Sequence, residues 1–153
     1  MKLKDEFPFT IKLSAPIQFN EKDYEIFYVL QYIEFVIGLN KGKDIVIVNN
    51  SLTFKSPGEL YLQRQSIIRP VDRGKFEIIG EPASRRLVYT FTIFTIYGFD
   101  MLYALMIGWV FHSWGGALLS FFVIILVNFF IAVWRQQVLV RRLSRYIEER
   151  FCE

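Results

Sequence analysis

At 153 residues, with 53% hydrophobic and 18% aromatic side chains, the chain is too apolar for an ordinary soluble domain. Its net charge of +3 is spread over both flanks of an apolar centre, and neither flank is basic enough for nucleic-acid binding. The single cysteine, Cys152, excludes an intramolecular disulfide, and one His with one Cys excludes a His/Cys zinc cluster.

The chain opens without the pattern of a signal peptide, since Met1–Thr10 is charged and broken by Pro8. From Phe7 to Phe19 every odd position is apolar, a period of two that predicts a strand with one buried face. Pro16 cannot donate to a ladder, which predicts an edge strand.

Over Asn20–Leu39, Ile26, Val29, Leu30, Ile33, Val36 and Ile37 follow helical spacing, with Asn20 as N-cap and Gly38 as terminator. Lys41–Asp44 is a turn. Ile45–Val48 and Leu52–Lys55 form a hairpin about Asn49-Asn50. Leu60–Ile68 and Lys75–Ile79 read as a last hairpin around Val71–Gly74. Residues 1–84 are therefore expected to form a small α+β domain: a strand, a helix, then four short strands. A domain of this size is marginal alone and is expected to lean on a bilayer, on the tail helix or on a partner.

Two apolar runs follow, at about 87–111 and 115–134, joined by His112-Ser113-Trp114. As helices they extend about 37 Å and about 30 Å, enough for a hydrocarbon core of about 30 Å. They predict a transmembrane helical hairpin over residues 85–134. Arg85 and Arg86 precede it, Arg135, Arg141, Arg142 and Arg145 follow it, and the loop has no Lys or Arg. The positive-inside rule puts both ends in the cytoplasm, with Trp109, Trp114 and Trp134 as interface aromatics. The compact form suggests a bacterial inner membrane.

Asp100 lies near the middle of the first span, where a carboxylate costs about 2.5–3.5 kcal/mol on insertion scales. Folding about Trp114 brings it level with Asn128, the only amide of the second span. An i+4 row of Thr92, Ile96, Asp100, Ala104 and Gly108 then faces Gly116, Ser120, Ile124, Asn128 and Ala132. Ala104, Gly108, Gly116 and Ala132 allow close backbone approach, and Asn128 offers donors to Asp100 with Tyr97, Tyr103 and Ser120 in support. Asp100 reads either as polar glue between helices or as an ion site lined by several helices.

Residues 135–153 continue as a basic amphipathic helix, with Leu139, Leu143, Tyr146 and Ile147 near one stripe. Arg135, Arg141, Arg142 and Arg145 fit either anionic-lipid contact or a purely topogenic role. The stripe predicts that the tail packs on the α+β domain.

Catalytic patterns are absent: there is no phosphate-cradling glycine loop, and His112 is separated by topology from any cytoplasmic nucleophile. His112 reads as an interfacial residue, and no cofactor or metal is implied. Three functions follow. The favoured one is a non-enzymatic accessory subunit of a larger membrane complex of transport or secretion type, contacting the bilayer and other membrane subunits. The second is a homo-oligomeric channel or ion-coupled component using Asp100. The third is a membrane-bound enzyme or lipid-handling protein at the cytoplasmic membrane surface, using Arg64 or Arg69 together with Tyr or Glu residues.

Overall fold

The computed structural model describes residues 10–17, 23–56, 71–81, 84–93, 95–111 and 114–151, with side chains at all of these but 23–25, 95–100, 111, 114, 117 and 151. Leu60–Ile68 with its Arg64, Arg69, His112 and Cys152 lie outside the described residues. The fold is α+β: one five-stranded antiparallel sheet and three helices, the last of them long and apolar in its first half.

The strands are β1 (Thr10–Pro16), β2 (Lys43–Val48), β3 (Ser51–Lys55), β4 (Arg73–Ile79) and β5 (Arg86–Thr92). The helices are α1 (Asp23–Leu39), α2 (Thr95–Phe111) and α3 (Trp114–Phe151). The sheet order is β1-β5-β4-β3-β2, so β2 to β5 form a meander and β1 returns to lie beside β5. β1 is an edge strand, the place its Pro16 requires.

The alternating pattern of β1 and the helical pattern of α1 are both realised. Leu13 and Ala15 face the core, and Ile26, Val29, Leu30, Ile33 and Ile37 are buried. Helix α1 closes one residue group later than Gly38: the left-handed position is Lys41, at φ 63°. Lys41 N–H donates to the Gly38 carbonyl at 2.8 Å and Gly42 N–H to the Ile37 carbonyl at 2.9 Å, which satisfies carbonyls at the helix end. Asn49 and Asn50 connect β2 to β3, with Val48 paired to Ser51 and Asn49 at φ 52°.

Two expectations are corrected. The segment 85–134 is not helical throughout, because Arg86–Thr92 is β5 and the next helix begins only at Thr95. β5 lies inside the sheet, and Leu87, Val88, Tyr89 and Phe91 are buried, Val88 on the opposite face from the others. Leu87, Val88 and Tyr89 are buried in succession, which hides the alternation, and a short apolar run is not separated from a helix by periodicity alone. The hairpin expected between Leu60–Ile68 and Lys75–Ile79 also gives way, because both edges of β4 are taken by β3 and β5.

One face of the sheet carries the core. α1 covers β2 and β3, and the second half of α3 covers β1 and β5. Leu139, Val140, Leu143 and Ile147 of α3 enter this core, so the basic tail completes the α+β domain. Tyr32 stacks on Tyr146 at 4.1 Å between ring centroids, and the Ser144 hydroxyl donates to the Pro16 carbonyl at 2.6 Å.

At the centre of the core face, Phe76 and Tyr89 are cross-strand partners stacked at 4.2 Å, with Phe91 4.9 Å from Tyr89. The Tyr89 hydroxyl is fully buried with no hydrogen-bond partner among the described residues. A buried, unsatisfied hydroxyl costs about 1–3 kcal/mol, so Tyr89→Phe is expected to raise stability by about 1 kcal/mol, read by denaturant unfolding in detergent. Burial also holds the Tyr89 hydroxyl well above the ordinary tyrosine value. Above about pH 10 the unfolded chain therefore loses this proton while the folded chain keeps it, and stability falls by about 1.4 kcal/mol per pH unit from this residue. The Tyr89→Phe variant is expected to lose stability less steeply above about pH 10 than the parent protein.

Candidate functional site

Among the described side chains, the exposed surface of α2 and of the first half of α3 is predominantly apolar. On α2, Met101, Leu102, Leu105, Met106, Trp109 and Val110 are exposed, Trp109 by 74%. On α3, Leu118, Leu119, Phe122, Val123, Leu126, Val127, Phe130, Ile131 and Trp134 are exposed. A contiguous apolar surface of this extent is far beyond what a water-soluble monomer carries and marks contact with lipid or with other chains.

Among the described residues, α3 alone is long and apolar enough, by length and composition, to cross a membrane. α2 has 17 residues and is about 25 Å long, near the lower limit for a span. The two helices pack on each other. In α2, Ala104 and Gly108 are buried, one turn apart; in α3, Ala132 is buried. Gly116 is exposed, Ser120 and Asn128 are half-buried, and Tyr103 is 52% exposed. Asp100 and Tyr97 belong to α2, but their side chains lie outside the described ones.

The character of α3 changes at Trp134. Beyond it the exposed positions are Gln137, Arg141, Arg142, Arg145, Glu149 and Arg150, while Arg135 is half-buried and Gln136 is buried. At 1.5 Å per residue Arg141 lies about 10 Å, and Arg145 about 16 Å, along the helix from Trp134. That exceeds the Debye length of about 8 Å at physiological salt, so Arg142 and Arg145 act weakly on anything at the Trp134 level.

The open face of the sheet was not legible as a site in the sequence, because its residues come from five separate strands. One row crosses all five: Thr10, Thr92, Arg73, Lys55 and Lys43 are successive partners. Two residues along each strand, Lys12 pairs with Thr90, Thr90 with Lys75, and Lys75 with Thr53. Lys55 is held by Asp44 at 2.6 Å and Lys75 by Glu77 at 3.1 Å. The hydrogen bond from Lys55 and then its charge hold the Asp44 carboxyl below its ordinary value. Lys12, Lys41, Lys43 and Arg73 are exposed. The row stands at the end of β5 that passes into α2 within two residues.

Among the described residues no group of three His, Cys, Asp or Glu side chains could hold a metal ion. The arrangement combines an apolar helix surface, a mixed-charge sheet face that is basic beside it, and a core shared between sheet and tail helix. No family model, curated protein or solved structure matches this chain.

Proposed function

We propose that the protein is a non-enzymatic accessory subunit of a larger membrane complex of transport or secretion type. In this reading α2 and the first half of α3 form a two-span hairpin in a bacterial inner membrane, with both termini cytoplasmic. The α+β domain, which includes the tail half of α3, binds or gates a partner on that side. The observation that carries the reading is the exposed apolar surface of α2 and α3, which among the described side chains runs from Met101 to Trp134. The buried small residues Ala104 and Gly108 of α2 support close helix packing of the kind membrane helices use.

The test is purification from the native host in mild detergent, with mass measurement of the intact assembly. Foreign subunits in fixed ratio are expected. A discrete oligomer of this chain alone replaces the reading with a homo-oligomeric channel, and a stable lone monomer overturns both. The Asp100→Asn variant separates roles for the intramembrane acid. As polar glue, Asp100 is expected to be needed for assembly, so the variant sheds its partners. Flux lost with assembly intact would instead make Asp100 an ion site.

A further inference from the structure

We infer that the end of the sheet next to α2 is a contact surface for anionic phospholipid headgroups, made by Lys41, Lys43 and Arg73 and flanked by Leu39. The inference rests on the reading of α2 and α3 as membrane spans.

Two separate connections orient this end. First, Thr92 is the last residue of β5 and Thr95 the first of α2. Three residues reach at most about 10 Å, so the whole row from Thr10 to Lys43 stands near the level at which α2 begins. Second, Ser144 of α3 donates to the carbonyl of Pro16, at the opposite end of β1 from Thr10. Ser144 is about 15 Å along α3 from Trp134, and Thr10 is about 20 Å back along β1 from Pro16. Both paths bring the row back to the Trp134 level.

Charge and apolar surface agree there. α1 runs toward this end, and its exposed Phe35 and Leu39, one turn apart, lie just before Lys41. Lys41 and Lys43 follow at the turn into β2, and Arg73 opens β4. Among the described residues the acidic side chains at this end are Asp44, bonded to Lys55, and Asp72 next to Arg73. Exposed cations with an adjoining apolar residue are the composition that anionic headgroups attract, each cation strengthening association about fivefold at the surface. The arginines of the tail, which the sequence offers more conspicuously, stand farther along α3.

The experiment uses the full chain with Cys152→Ser in lipid nanodiscs and two single-cysteine fluorescent reporters, Leu39→Cys and Val127→Cys, both at exposed positions. An acyl-chain quencher reads Val127 and a headgroup quencher reads Leu39. Val127 is expected to be quenched in all nanodiscs. Leu39 is expected to be quenched strongly with phosphatidylglycerol and weakly in phosphatidylcholine alone. Lys41→Gln, Lys43→Gln and Arg73→Gln are each expected to lower the Leu39 contact about fivefold, with Arg145→Gln leaving it within about twofold. An unquenched Leu39 with a quenched Val127 overturns the headgroup contact and leaves the spans standing. Equal Leu39 quenching in both lipids, unmoved by the charge variants, overturns it as well. An unquenched Val127 overturns both readings.

Discussion

Ile147→Ala is expected to lower the unfolding free energy by about 2–5 kcal/mol, a large part of the stability of so small a domain. Ile147 is fully buried and belongs to the core with Leu139, Val140 and Leu143, under β1 and β5. Truncation removes its transfer free energy and leaves a cavity that a helix anchored on both sides cannot close. Arg141→Ala, on the exposed side of the same helix, is expected to change stability by less than about 0.5 kcal/mol. Near-UV circular dichroism of the aromatic core during denaturation in mild detergent separates the two. Equal and small effects would mean that the tail is not part of the domain.

Gly74→Ala is expected to cost about 1–3 kcal/mol, the range for overpacking a filled core. Gly74 pairs with Phe54 on β3 and with Phe91 on β5, and the Phe54 ring lies across it. A methyl group at Gly74 would overlap the Phe54 ring and come within 3.0 Å of Tyr89. Phe54 is itself buried and stacked against Phe76 at 6.1 Å, so its ring has little room to turn away. A double-mutant cycle provides the check. In a Phe54→Ala background only the 3.0 Å approach to Tyr89 remains, and Gly74→Ala is expected to cost clearly less than in the parent protein. Additive costs would show that the overlap is not the cause.

These two positions also show what a single sequence conveys. Ile147 was legible as part of an apolar stripe on the tail, because helical periodicity survives in any amphipathic helix. Its destination under β1 was legible only as an expectation that the tail packs on the domain. Gly74 was read as a turn residue, since nothing local reveals that a phenylalanine twenty residues earlier covers it. β1, α1 and the β2–β3 hairpin were readable because each carries a local signal: alternation, a 3.6 period, an Asn-Asn turn. β5 was not readable, because the buried succession Leu87-Val88-Tyr89 hides its alternation and the apolar run continues into α2. The row of cations across the sheet was hidden for a different reason. It is assembled from partners whose register no linear pattern contains.

The continuity of α3 has a mechanical consequence. Its 38 residues make one helix of about 57 Å, with no proline and no glycine after Gly116. The part beyond Trp134 is bolted into the core by Leu139, Val140, Leu143 and Ile147. The α+β domain is therefore carried on a lever and not on a tether. A tilt of the apolar half by about 10° swings the Ile147 end, about 20 Å beyond Trp134, by about 3 Å. The short β5–α2 connection acts as a second strut that limits rotation about the first. Whatever displaces the apolar half sideways must displace the sheet with it, as one body.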